Sequence, residues 1–464
     1  MTIGTNLALR LCTGAALVAV AGTAMAQRAE PEELVPPEAA SAADKAAANP
    51  FDQAFPKMVS QPVIQGEEQK EEKPLVLPWS TANARALLAV IGSVGSEGLD
   101  PADYQPGLLR DAIEQGPSES LDELASRSFA WLIEDLRDGR TPMEARRQWF
   151  VQDPDHLRYP TADLLASALA GGDIAGTLAQ LDPTHPDYAR LREELALTPA
   201  EDEARRKLIR ANMDRWRWLA RDLGRQYLIT NVPEYQLRLT VNDRIISTYR
   251  TIVGKPGRTA TPQLAEMVEG VIFNPTWTVP QSIVVGEGLG QKVLNNPAWA
   301  KQAGYKAARG ENGWIGVVQQ PGPTNSLGRM KLDMPNRHAI FLHDTPARQL
   351  FEGETRALSH GCIRVERALE LAMTITILGK GATKEEAVAA SNSGEYTRVP
   401  VTRRLPVYIT YFTMATDIEG KLATFADIYD RDSPVLTSLD QPRVANRSRV
   451  TDEEVIEILD DPRA

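Results

Sequence analysis

The sequence predicts an α+β protein: a helical module followed by a mainly β domain that carries a capping insertion. Three observations support this. Apolar residues recur at helical spacing from about Trp79 to Leu195 and switch to strand alternation from Tyr227. The 464 residues are enough for two or three domains. The hydrophobic fraction of 42% is enough to bury a sizeable core.

The first 26 residues read as an export signal. Arg10 is a weak n-region, Leu11–Met25 is an Ala-rich apolar run, and Ala24-Met25-Ala26 is a cleavage site of the A-x-A kind. The run is short for a membrane span and no later segment is apolar enough, so no stable membrane insertion is expected after cleavage. The expected location is the periplasm. Residues 27–78, rich in Pro, Ala, Glu and Gln in their first part, read as a disordered spacer.

Residues 79–200 read as a helical scaffold. Leu87, Leu88, Ile91 and Val94 share one helical face. Ser120 with Glu123 resembles a capping box before Phe129, Leu132, Ile133 and Leu136, and Gly139 closes that helix. Residues 201–224 hold a linking helix, Asp202 to about Leu219, in which arginines mix with Trp216 and Trp218. Its expected role is to pack the tryptophans on the next domain and keep its charges in solvent. A net charge of −11 argues against a nucleic-acid partner.

Residues 225–430 read as the β domain. Strands are expected at Tyr227–Val232, Gln236–Val241, Arg244–Val253, Val268–Phe273, Ala339–Leu342 and Val407–Thr416, with a return at Leu422–Phe425. Helices are expected at Glu366–Leu378 and Lys384–Ala390, the second capped by Thr383 with Glu386. The stretch of about 274–334 is long for a loop and carries Trp277, Trp299, Tyr305 and Trp314, as a lid would. Residues 431–464 read as an acidic tail.

The chemistry concentrates in Ser359-His360-Gly361-Cys362-Ile363-Arg364 and, upstream, in Leu342-His343-Asp344. There are two cysteines, and Cys12 lies in the signal, so the mature chain keeps only Cys362. A single exported thiol has no internal disulfide to make. Three of the five histidines, His338, His343 and His360, fall in this region. A thiol attacks as thiolate, so it needs a base or a positive field. A histidine at a strand end supplies the first. The N-terminus of the helix after Arg364 is expected to supply the second. The amides of Gly361 and Cys362 are candidate oxyanion donors. Asp344 is either an orienting carboxylate or a turn residue.

His343, fifteen intervening residues and then SHGCIR resembles the signature of L,D-transpeptidases with a YkuD-type catalytic domain. Further segments resemble the large YcbB-type members: RANMDRWRWL at Arg210–Leu219, Asn231–Glu234, Val253–Pro256, FNPTWTVP at Phe273–Pro280, Leu327–Arg329 and LHDTP at Leu342–Pro346. The resemblance implies Cys362 as nucleophile and His343 as base, oriented by a backbone carbonyl. It implies that Ser359, His360, Gly361 and Arg364 shape the site, and that the insertion caps the substrate. It implies donor and acceptor peptidoglycan stem peptides as partners, with other cell-wall enzymes as further candidates, and no cofactor. It also implies acylation of Cys362 by carbapenems. Unlike many large members, the chain leaves no room near Leu195–Arg205 for a separate peptidoglycan-binding module.

Three other readings compete. The first is hydrolysis by the same site, or attachment of a protein to the wall. The second is a zinc site of His343, His360, Cys362 and Asp344, which lacks the paired spacing of familiar zinc motifs. The third is a wall-binding scaffold with an inert Cys362.

Overall fold

The computed structural model describes residues 75–451 and 453, apart from 152, 243, 311 and 312. The expected signal, nearly all of the spacer and the chain end lie outside these residues. No helix among the described residues is long and apolar enough to cross a membrane.

The first module is helical: α1 (Thr81–Ser93), α2 (Pro106–Gln115), α3 (Glu119–Asp138), α4 (Thr161–Gly171), α5 (Ile174–Ala179) and α6 (Pro186–Leu197). Leu87, Ile91, Phe129, Leu132, Ile133 and Leu165 fill one core. The cap of α3 is Ser118, which accepts from the Leu121 amide at 3.2 Å, rather than Ser120. Gly139 does end that helix, at φ 86°. Helix α6 stops at Leu197 and α7 (Glu203–Trp216) follows at once.

Helix α7 corrects one expectation. Trp216 and Trp218 are buried, and Trp216 stacks on Phe412 of the β domain at 4.4 Å. Yet Asp214, Arg215 and Arg217 are buried as well instead of facing solvent. Arg215 pairs with Asp432 at 2.6 Å, and the Asp214 carboxylate accepts from the Arg140 and Thr141 amides and from Trp218 Nε1.

The β domain is built on β1 (Gln226–Asn231), β2 (Gln236–Val241), β3 (Arg244–Gly254), β4 (Leu264–Phe273), β8 (Met330–Asp333), β9 (Leu342–His343), β10 (Ala357–Ser359), β11 (Ile363–Val365) and β12 (Thr397–Thr410). Their order is β10-β3-β11-β9-β8-β4-β12-β1-β2, and a β2–β3 pairing closes the strands from β3 to β2 on themselves, with β10 an added edge on the end of β3. The strand expected at Ala339–Leu342 shrinks to Leu342–His343, because Ala339 sits at φ 52°, outside the strand region. The strand expected at Val407–Thr416 ends at Thr410, and β13 (Met414–Thr416) pairs separately with β14 (Leu422–Thr424). Helices α11 (Ala368–Leu378) and α12 (Lys384–Asn392) follow the site, and α12 carries the expected Thr383–Glu386 capping box.

The insertion is a small folded unit. It holds β5 (Trp277–Thr278), α8 (Gln281–Gly286), α9 (Leu289–Asn295), α10 (Pro297–Gln302), β6 (Tyr305–Arg309) and β7 (Ile315–Gln319). Val279, Ile283, Val284, Val293, Ala300 and Val317 give it its own core. Residues 330–333, expected inside it, belong to the main sheet as β8. Gly290 is there for packing: a Cβ would lie 2.8 Å from Val284.

The expected acidic tail is, in its first twenty residues, a packed strap. Helix α13 (Asp432–Leu439) buries Val435 and Leu439. Beyond it Arg443 and Arg447 reach the buried Asp135 of α3 at 3.0 and 2.5 Å.

Candidate active site

Strand alternation sets out the site. Met330 and Leu332 of β8, Leu342 of β9, and Ile363 and Val365 of β11 point into the core. The residues between them point to the opposite face. There the register puts Lys331 beside His343, and His343 beside Arg364. The Phe341 ring lies 5.5 Å from the His343 ring and under Lys331, and Cys362, just before β11, is within electrostatic reach of Lys331 and Arg364. The row of Lys331, His343 and Arg364 thus lies beside the thiol.

His343 is buried. Its Nδ1 lies 2.5 Å from the Asp344 carbonyl oxygen. A carbonyl only accepts, so Nδ1 carries the hydrogen and Nε2 keeps the lone pair. Burial, aided by the positive charges of Arg364 and Lys331, lowers the His343 pKa to about 3. The ring is therefore neutral at neutral pH and able to take a proton.

Cys362 keeps partial solvent access. Burial pushes its thiol up to about 11, against the opposing pull of the Phe341 backbone, Lys331 and Arg364. The resting pair is a neutral thiol and a neutral imidazole. The helix expected to assist does not reach the sulfur. Strand β11 intervenes, and α11 begins only at Ala368, beyond the far end of that strand.

The nucleophile loop is tied to itself. Ser359 Oγ donates to the Cys362 carbonyl at 2.6 Å and accepts from the Gly361 amide at 3.1 Å. The Gly361 amide is thus engaged, which removes one of the two expected oxyanion donors. Gly361 sits at φ 123°, where a Cβ would also meet Ile340 at 3.1 Å. The thiol faces the Ala339 carbonyl at 3.5 Å.

Two other expected roles change. The Asp344 carboxylate does not orient the histidine; its backbone carbonyl does. The carboxylate accepts from the Arg329 amide at 2.9 Å and pairs with Arg348 at 3.0 Å. Gly328 makes room for it, since a Cβ there would lie 2.5 Å away. His360 turns outward, and its Nε2 meets Glu287 of the insertion at 3.2 Å. His343, His360 and Cys362 therefore do not converge as a metal site would require. No group of three potential metal ligands is found among the described residues.

Two residues escaped the sequence reading. Lys331 stands 3.8 Å over the Phe341 ring and bears on both titrating groups. Its signal was its place between the core residues Met330 and Leu332. Thr261 donates to the Gly361 carbonyl at 2.7 Å, a contact that no motif announced.

Residues 225–408 match the family model of the YkuD L,D-transpeptidase catalytic domain, and residues 76–195 match that of a scaffold domain. The chain thus carries a YkuD-type catalytic domain behind a helical scaffold. A relative from Haemophilus influenzae, named "Putative L,D-transpeptidase", is 30% identical over 224 residues, covering 45% of this chain and 45% of the relative. The matched part therefore spans less than half of that protein. Two solved structures are similar more distantly. An L,D-transpeptidase from Mycobacterium smegmatis is 12% identical over 40% of this chain and 58% of its own, with a TM-score of 0.22. L,D-transpeptidase 1 of Mycobacterium tuberculosis is 10% identical over 40% and 61%, with a TM-score of 0.19. Scores that low carry no argument about the fold.

Proposed function

We propose that this protein is a periplasmic peptidoglycan L,D-transpeptidase with Cys362 as nucleophile and His343 as base. The observation that supports it most is one cluster: a partly accessible thiol, a neutral imidazole pinned at Nδ1, and two cations, Lys331 and Arg364, on the strands to either side of His343.

The thiol of Cys362 attacks the carbonyl of the third residue of a tetrapeptide stem. Its proton passes to His343 Nε2 as the carbon–sulfur bond forms. Arg364 and Lys331 favour the developing thiolate and disfavour a lasting imidazolium, so the proton is readily passed on to the leaving nitrogen of D-Ala. The Cys362 amide is the member of the expected pair to receive the oxyanion. The resulting thioester is then attacked by an amine of a second stem peptide, and a cross-link forms. Water in place of the amine gives the tripeptide.

Intact-mass measurement after incubation with a disaccharide tetrapeptide tests this. The expected adduct is the donor less D-Ala, absent from Cys362→Ala and discharged as dimer when acceptor is added. A carbapenem should add its whole mass to the same sulfur. Adducts that persist in Cys362→Ala, or dimer formed without Cys362, would refute the assignment.

A further inference from the structure

The nucleophile loop is held from outside the catalytic residues. Thr261 is fully buried, and its hydroxyl donates to the Gly361 carbonyl at 2.7 Å while accepting from the Gly254 amide at 2.9 Å. Gly361 is the residue before the thiol. Two residues after Thr261 comes Gln263, where the helical module enters. The Phe150 amide donates to the Gln263 carbonyl and the Gln263 amide to the Gln148 carbonyl, each at 2.9 Å. Residues 148–150 thus lie as an extra edge beside the start of β4, with Trp149 bridged to Gln263. Arg431 locks the junction: its guanidinium donates to Gln148 and Gln263 side chains and to the Thr261 carbonyl.

A second arm reaches the other side of the sulfur. The Phe150 ring packs on His338 at 4.2 Å. His338 is buried and precedes Ala339, whose carbonyl faces Sγ at 3.5 Å. Asn336 fixes that turn by accepting from the His338 and Ile340 amides. The scaffold therefore touches one flanking segment directly, at His338, and reaches the other through Gln263 and Thr261, and neither arm contains a group that reacts.

We propose that Thr261 and Phe150 are positioning residues, through which the helical scaffold holds Cys362 in its attacking geometry. The scaffold is then part of the acylation machinery rather than a passive support. This rests on Cys362 being the nucleophile, so the test uses a readout that does not need the transfer reaction.

The experiment compares Thr261→Val, Thr261→Ser and Phe150→Leu in the mature chain. Three quantities are measured: the pH profile of Cys362 alkylation by iodoacetamide, kcat and KM for acylation by a tetrapeptide donor, and the melting temperature. Thr261→Val removes the hydroxyl at equal size. It should lower kcat at least tenfold with KM within twofold, and displace the alkylation profile. Thr261→Ser should restore both to within threefold. Phe150→Leu should lower kcat about fivefold while the melting temperature stays within a few degrees. Wild-type alkylation and kcat in folded Thr261→Val and Phe150→Leu would overturn the proposal. So would equal losses in Thr261→Val and Thr261→Ser. Altered alkylation without any acylation in the wild type would leave the positioning intact and refute the transferase reading instead.

Discussion

The seam between the scaffold and the β domain buries cations, the face around Cys362 half-buries them, and the two regions treat them in different ways. At the seam several buried guanidinium groups have a carboxylate, although Arg431 donates instead to Gln148, Gln263 and the Thr261 carbonyl. Arg140 meets Asp103 at 2.7 Å, Arg215 meets Asp432 at 2.6 Å, and Arg443 and Arg447 share Asp135. At the site Arg364 is half-buried, its Nε has no hydrogen-bond partner among the described residues, and the ionisable group that bears on it is Cys362 itself. A paired charge holds two elements together. A charge that faces a thiol favours whatever negative charge develops there. One chemistry thus serves cohesion in one region and reactivity in the other, and substitutions should separate the two.

The largest effect should come from the reactive face. His343→Gln should lower the acylation rate by about two orders of magnitude, as removal of a general base commonly does. It should also change the acid limb of stability. The folded pKa is lowered from 6.5 to about 3, so the folded state binds this proton later than the unfolded chain does. The contribution is fully present above pH 6.5 and is lost as pH falls towards 3. Its size is at most about 5 kcal/mol. The difference in unfolding free energy between wild type and His343→Gln should therefore move in favour of the variant as pH drops through that window. A constant difference would mean that His343 titrates normally.

The seam should respond in the converse way. Asp135→Ala leaves Arg443 and Arg447 with only the more exposed Glu134 carboxylate and should cost about 3 kcal/mol in urea unfolding. The kcat of the folded fraction should stay within about twofold, since Asp135 touches neither arm that reaches the thiol. A tenfold loss of kcat at full folding would show that the seam governs reactivity too.

What was legible in the sequence follows the same division. Local patterns were readable: the helical period of the scaffold, the alternation of β1, β2 and β3, the Thr383–Glu386 cap, and the His343–Cys362 signature. Misreadings occurred where a residue's partner is distant in the chain. Arg443 and Arg447 looked like part of a polar tail because Asp135 lies some 300 residues away. Arg215 and Arg217 looked solvated because their helix is amphipathic by pattern, yet the strap meets Arg215 and the helical module encloses Arg217 through Glu97, Tyr188 and Asp214. Asp344 was open between an orienting carboxylate and a turn residue, and only the fold reveals that the Arg329 amide and Arg348 claim its side chain. Thr261 has no local signature at all, since its role depends on a loop one hundred residues later.

The smallest effect should come from the insertion, whose contact with the nucleophile loop is neither seam nor reactive face. Glu287 and His360 meet at 3.2 Å with side chains 57% and 44% exposed. A contact that open is worth at most about 1 kcal/mol. Shortening Gln291–Gly304 would be a poor test of it, because that removes Val293 and Ala300 from the core of the insertion. Glu287→Gln and His360→Gln leave that core whole. If the contact helps keep water from the thioester, each should raise the ratio of hydrolysed tripeptide to cross-linked dimer about two- to fourfold, with the acylation rate little changed. The double variant should do no more than either single one, because both remove the same contact. Trp299→Ala, which unstacks Trp299 from Tyr305 inside the insertion, should shift the ratio less. Chromatographic quantification of both products from one donor and one acceptor checks this. Additive effects of the two substitutions, or an unchanged ratio in both, would mean that the insertion meets the loop without controlling the fate of the acyl-enzyme.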